Sequence, residues 1–201
     1  MRKISRRNFL IGSGAAMVMA KLDDDQLNAR KLLRNEEALA ALPHRITATR
    51  PLELKVGEHL PSDIPVMDGC NNLDLINHAD RYYLAFRTAP THFASSRTLM
   101  HILSSDDALH WQHEETVKMY SDLREPRFLS FNERLFFYFF KAGTNWTKFE
   151  PQHIYNMERK NGLWRPPQEC LESGYVPWRF LHHDGKAFLS VYYGKDLYDG
   201  G

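Results

Sequence analysis

Seven residues of this sequence are candidates for binding or cleaving a sugar, by the type of their side chains and by their positions. Guanidinium groups hold a carboxylate through two parallel hydrogen bonds. A pair of carboxyl groups can supply acid and base for glycosidic cleavage, and an indole ring can stack on an apolar sugar face. The catalytic candidates are Glu125 and Asp74, and the substrate-binding candidates are Arg87, Arg124, Arg127, Arg179 and Trp178.

These candidates fall at related positions of a repeat of about 50 residues. Residues 74–86, 127–139 and 179–191 each read as a short apolar strand, a polar turn, a basic residue and a second strand rich in aromatic and branched residues. The basic residues after the turns are 53 and 52 residues apart, at Arg81, Arg134 and Lys186. In this register Asp74, Arg127 and Arg179 are equivalent.

A repeat of this length made of strands predicts a β-propeller with one four-stranded blade per unit. The first unit continues with strand patterns over 98–103 and 111–117, and the second with one over 153–157 followed by a remnant at 163–164. Ligands of propellers bind at the central axis, where the first strand of each blade begins. The candidates lie at those positions, except for Arg87, which ends the second strand of the first unit. A β-sandwich or a single open sheet of unrelated hairpins is the alternative.

Residues 104–111, SSDDALHW, resemble the Asp box of the sialidase superfamily, Ser-x-Asp-x-Gly-x-Thr-Trp. Ser104, Asp106 and Trp111 match, whereas Ala108 replaces the glycine and His110 the threonine. The resemblance implies a turn between the third and fourth strands of a blade, on the outside of the propeller. The serine and aspartate are expected to bind backbone donors of this turn and the tryptophan to wedge between strands, without a part in chemistry.

The resemblance implies an all-β fold, a β-propeller of which about two and a half blades are present. The blades are expected at residues 68–120, 121–174 and, incompletely, 175–201 of a partial propeller over 67–201. A closed ring needs at least four blades. We therefore expect the chain to be a fragment of a five- or six-bladed propeller.

The resemblance also implies a glycoside hydrolase. Sialidases use an arginine triad, an acid/base aspartate and a tyrosine activated by a glutamate, and these roles would give Asp74 or Asp68 as acid/base and Glu125 as activator. Other five-bladed glycosidases would make Asp74 the base and Glu125 the acid. The alternatives are a non-catalytic propeller that binds carbohydrate or protein, and an inactive truncated product. In these the arginines pair with carboxylates of neighbouring blades, Glu125 caps a strand and Trp178 is packed.

The first twenty residues predict an export signal. Residues 5–10, SRRNFL, resemble the twin-arginine motif, and an apolar stretch over 11–20 ends in small residues. The predicted partner is the twin-arginine export machinery, and the predicted location is the periplasm or the outside of the cell. No cysteine follows the apolar stretch, so no lipid anchor is expected.

Residues 21–66 predict a lead-in to the propeller. An acidic triplet and a ragged leucine stripe indicate a helix over 23–42, which Pro43 ends. Loose alternation over 45–56, broken by prolines, indicates one short strand and loop. The lead-in is either a spacer or a helix that packs on the outside of the domain.

Composition excludes several classes of protein. The 201 residues are 43% hydrophobic and carry a net charge of +1, so the chain can bury a core and has no overall field that attracts nucleic acid. Its 10 histidines have no metal-ligand spacing, and no phosphate loop or dinucleotide motif is present, so no metal or cofactor is expected. The 2 cysteines, Cys70 and Cys170, either pair in an oxidising compartment or stay free.

Overall fold

Each repeat folds around a hairpin whose two turn residues both take positive φ, the backbone of a type I′ turn. The φ angles are 49° and 62° at Ala79 and Asp80, 50° and 59° at Asn132 and Glu133, and 48° and 67° at Asp184 and Gly185. This turn matches the twist of the flanking strands. The three turns lie where the repeat predicted them.

The computed structural model describes residues 53–194, and within this range the secondary structure is strand and turn, with no helix. The first sheet has the order β1-β2-β3-β4 and is antiparallel throughout. Its strands are β1 (Gly69–His78), β2 (Arg81–Ala89), β3 (Leu99–Ser105) and β4 (Gln112–Val117).

Two further sheets repeat this plan. The second has the order β5-β6-β7-β8, with β9 also paired to β7, and the third is the hairpin β10-β11. The strands are β5 (Asp122–Phe131), β6 (Arg134–Ala142), β7 (Pro151–Lys160), β8 (Leu163–Trp164), β9 (Gln168–Glu169), β10 (Tyr175–His183) and β11 (Lys186–Tyr193). Successive antiparallel sheets that each start at a hairpin are consistent with a partial propeller.

An apolar core joins the first two sheets. Tyr83 of β2, Phe128 of β5 and Phe137 of β6 are buried together, and Trp164 of β8 packs its ring against all three. On the other face of the first sheet, Leu60 and residues near it in the chain cover β2 and β3. The third sheet packs on the second through a smaller cluster that includes Val176.

The strand predictions for the repeats are confirmed, since β7 covers its predicted stretch and β3 and β4 each begin one residue later than predicted. The signal peptide over 1–20 and the helix over 23–42 lie outside the described residues. Of the lead-in, residues 53–66 form a turn with one isolated bridge between Val56 and Leu60. Cys70 and Cys170 are free thiols in this structure. No helix long and apolar enough to cross a membrane occurs between residues 53 and 194.

The turn between β3 and β4 differs from the expectation for its aspartate. Asp107, rather than Asp106, binds the backbone N–H groups of Leu109 and His110, both at 2.8 Å. Asp106 instead pairs with Arg81, and Ser104 accepts a bond from the same guanidinium. Trp111 is buried in the cluster on the outer face, as expected. The membership of the sialidase superfamily that this motif suggested stays a prediction.

Ala108 holds the position where the Asp box has glycine, and its φ is 60°. A side chain in the left-handed region costs about 1 kcal/mol, which glycine avoids. Glycine has more conformational entropy than alanine in the unfolded chain, and this offsets part of that gain. We therefore predict that Ala108→Gly raises the free energy of unfolding by about 0.5 kcal/mol. Urea unfolding measures this difference. A midpoint equal to or below that of the unchanged chain would contradict it.

His101 is fully buried between Thr116 and the carbonyl of Pro65. Burial lowers the pKa of His101 from 6.5 to about 4. Between these values the unfolded chain takes up a proton before the folded one, so stability falls as the pH drops from about 6.5 and levels off below about 4. We predict a flatter stability profile over this window for His101→Gln. Urea unfolding between pH 4 and 7 gives the free energy of unfolding of both proteins. The same pH dependence of this free energy in both would refute the prediction.

Candidate functional site

The candidate site forms where the first strands of the three sheets meet. β1, β5 and β10 each stand at one end of their sheet and pair with a single neighbouring strand. β5 lies against both β1 and β10. Because side chains at equivalent positions of the repeat point toward the following sheet, residues far apart in the sequence come together here.

Each first strand contains a β-bulge at nearly the same distance from its hairpin turn. The register shifts between Asn71 and Leu73 in β1, between Arg124 and Arg127 in β5, and between Pro177 and Arg179 in β10. Asn72 and Glu125 lie in the bulges of β1 and β5 with φ of 48° and 50°. Bulges redirect side chains and are common beside active sites.

A chain of hydrogen bonds links the bulges across the three sheets. Asn72 Nδ2 donates to Glu125 Oε1 at 2.6 Å, and Arg127 Nη2 donates to Glu125 Oε2 at 2.8 Å. Arg127 Nε donates to the carbonyl of Trp178 at 2.6 Å. Glu125 is therefore held by one partner from β1 and one from its own strand, and Arg127 reaches the third sheet.

Asp74 is the second carboxylate of the site. Its Oδ2 accepts the backbone N–H of Phe128 at 2.6 Å. Burial raises the pKa of Asp74 above 3.8, against the opposing effects of the backbone N–H of Phe128 and the charge of Arg127. Since burial dominates, this carboxyl group keeps its proton to a higher pH than an exposed aspartate.

A cleft of about 340 Å³ opens between these strands. Trp178 lines it with 54% of its surface exposed. Arg179 is also exposed, and its guanidinium group has no hydrogen bond or ion pair with any residue of 53–194. The residues that line the cleft are Asp74, Leu75, Ile76, Arg127, Phe128, Trp178, Arg179 and Phe180.

Arg87 and Arg124 belong to a separate, buried network around Asp122. Arg87 is fully buried and donates to Asp122 Oδ1 through Nε at 3.2 Å and Nη2 at 2.7 Å. Thr98 donates to the same oxygen, and Arg124 Nε donates to Asp122 Oδ2. Neither arginine lines the cleft. That they bind substrate stays a prediction, and their bonds show them holding Asp122.

The structure thus brings together four of the seven predicted residues in the cleft and Glu125 beside it. Sequence reasoning missed Asp122 and Asn72. Asp122 lies outside the repeated hairpin segment, and two of its three partners, Thr98 and Arg87, are 24 and 35 residues away. The signal for Asn72 was its place two residues before Asp74 in the repeat, equivalent to Glu125. Among residues 53–194 no group of three or more histidine, cysteine or carboxylate side chains could hold a metal ion.

Comparisons with known proteins give a distant structural likeness and no family. No family model matches the chain, and no curated protein matches it. A solved structure to which it is similar is the GH32 beta-fructofuranosidase BmSUC1 of Bombyx mori, at 12% sequence identity and a TM-score of 0.42 over 64% of this chain. The chain spans 30% of that enzyme's length. The fold and site together define an array of propeller-like sheets with a polar cleft between their first strands.

The buried network makes a prediction about stability. Asp122→Ala leaves two guanidinium groups, one of them fully buried, without their shared carboxylate, and we expect it to cost about 3 to 5 kcal/mol of unfolding free energy. The control is Glu158→Ala, which removes a solvent-screened pair with the exposed Arg134 and is expected to cost far less than Asp122→Ala. Urea unfolding compares the two variants. Equal costs would contradict a supporting role for Asp122.

Proposed function

We propose that the cleft binds a carbohydrate and that the protein hydrolyses a glycosidic bond there, with Asp74 as the acid/base group. The observation that carries the proposal is the carboxyl group of Asp74 in a cleft that it shares with the exposed indole of Trp178 and the guanidinium group of Arg179, which has no partner among residues 53–194. A carboxyl group with a raised pKa is suited to protonate a leaving oxygen.

The other residues take supporting roles in this proposal. Trp178 stacks on a sugar face, because its ring is exposed and lines the cleft. Arg179 binds a carboxylate or hydroxyl groups of the substrate. Glu125 serves as the second carboxylate, and Arg127 orients it through the bond to Oε2. The resemblance implied two sets of roles for these carboxylates. This assignment agrees with the set in which Asp74 is the acid/base group, and not with the set in which Asp74 is the base and Glu125 the acid.

A non-catalytic sugar-binding propeller is the second candidate, and one observation favours it. Both oxygens of Glu125 and Oδ2 of Asp74 already accept hydrogen bonds within the protein. Carboxylates used in this way connect neighbouring sheets, and the cleft then needs only Trp178 and Arg179 to bind a sugar.

We further propose that the protein is exported by the twin-arginine machinery to the periplasm or beyond. Support comes from residues 5–10, SRRNFL, and from the apolar stretch that follows them. Lysine replacement of both arginines in a cell-fractionation assay tests this, since export should then stop. Unchanged export would overturn the proposal.

Turnover of aryl glycosides tests the proposed hydrolysis. The panel should contain neutral pyranosides, neutral furanosides, and uronides and neuraminides that carry a carboxylate. We expect turnover of at least one class, and a loss of about 10²-fold or more in kcat for Asp74→Asn with little change in KM. The limb of the pH profile that reports Asp74 should lie above pH 3.8 and vanish in the variant.

Asp80→Asn is the matched control, because Asp80 is an exposed aspartate in the turn of the same hairpin, at the opposite end of β1. It should leave turnover unchanged. Sugar binding that quenches tryptophan fluorescence without turnover of any class would replace hydrolysis by the binding function. The absence of both binding and turnover would overturn both candidates.

A further inference from the structure

Two exposed aromatic side chains meet on loops at the end of the sheets where the first strands begin. Phe93 lies in the loop between β2 and β3, and Trp146 lies in the loop between β6 and β7. They are 55% and 68% exposed, and their ring centroids are 6.1 Å apart in an edge-to-face contact. We call this pair the aromatic platform.

The loop that carries Phe93 is anchored by the buried network around Asp122. Arg87 Nη2 donates to the carbonyl of Phe93 at 2.9 Å, and Arg124 Nη2 donates to the carbonyl of His92 at 3.0 Å. Two guanidinium groups fixed by one carboxylate therefore hold two consecutive carbonyls. A buried ionic group is costly to desolvate and adds little stability by itself. In this protein the ionic network around Asp122 instead fixes the conformation of the loop that carries Phe93.

The backbone at the start of β1 also packs closely against this loop. A Cβ at Gly69 would lie 2.4 Å from the carbonyl oxygen of Thr91, so the backbones approach more closely than any other residue permits. The loop of Trp146 has its own support, since Asn145 Oδ1 accepts from the backbone N–H and the hydroxyl group of Thr147. The backbone of both loops that carry the platform rings is therefore restrained by hydrogen bonds or close packing.

The platform is connected to the candidate site through two consecutive residues of β1. Asn71 Nδ2 lies 2.8 Å from Nδ1 of His92 in the platform loop, and Asn72 Nδ2 donates to Glu125. The platform loop and the candidate site are thus bonded to adjacent residues of β1.

We infer that the aromatic platform is a second sugar subsite, which stacks on a ring of an oligosaccharide whose other end occupies the cleft. This inference rests on the proposed function and adds that the substrate is an oligosaccharide rather than a single sugar. Exposed rigid aromatic rings provide contact area at a low entropy cost. Trp146 supplies the larger ring for stacking, and its edge-to-face contact with Phe93 limits its rotation.

The test is calorimetric titration with oligosaccharides of two to six units, in the malto-, cello-, fructo- and oligogalacturonide series. For the series that binds, affinity should rise about tenfold or more with chain length in the unchanged chain. Trp146→Ala should abolish this gain and leave the affinity for the shortest member unchanged. Trp146→Phe should retain most of it.

Two further variants separate the subsites. Leu163→Ala is the matched control, because Leu163 is 72% exposed and follows the turn at the other end of β7, and it should change nothing. Trp178→Ala, in the cleft, should weaken every member of the series equally. An unchanged length dependence in Trp146→Ala, or no binding in any series, would overturn the subsite. A loss of length dependence in Trp146→Ala together with full turnover in Asp74→Asn would uphold the subsite and reject the assigned acid/base role.

Discussion

The free edge of each first strand is the constraint on which the site depends. β1, β5 and β10 have one hydrogen-bonded neighbour each, so backbone groups on their other edge need partners. Side chains of the preceding sheet supply them: Asp74 accepts the N–H of Phe128, and Arg127 donates to the carbonyl of Trp178. Asp74 and Arg127 are equivalent in the repeat. The same need for a partner on the free strand edge therefore recurs at β5 and at β10, and a charged side chain of the preceding sheet meets it each time. Arg179 occupies the same position in the third repeat, where its guanidinium group faces the cleft without a partner among residues 53–194.

Two devices make this arrangement rigid. The bulges turn Asn72 and Glu125 toward one another at the cost of positive φ at both residues. The network around Asp122 fixes the loop of the aromatic platform from the buried side. Arg87 and Arg124 thus lie outside the cleft, and they hold the carbonyls of Phe93 and His92.

The hairpins could be predicted because their signals are local. Turn residues and apolar runs recur at 53 and 52 residues, and this register alone placed Asp74, Arg127 and Arg179 at equivalent positions. The role of Arg87 could not be predicted in the same way, because its partner Asp122 comes from a different sheet. The role of Arg124 was missed although its partner Asp122 is two residues away, because Asp122 lies outside the repeated segment. The aspartate of the β3–β4 turn was misassigned by one residue, since Asp106 and Asp107 are adjacent and only the backbone geometry decides which one binds the turn.

The properties proposed for the site depend on Asp74, a partly buried carboxyl group of the first sheet that feels the charge of Arg127 in the second. Carbon-13 NMR titration of the Asp74 carboxyl measures its pKa directly in the unchanged chain and in Arg127→Gln. We expect a pKa above 3.8 that rises further in Arg127→Gln, because burial raises the pKa and the guanidinium charge opposes that rise. A pKa at or below 3.8, or one that does not change when Arg127 is replaced, would show that burial and Arg127 do not set the protonation of Asp74.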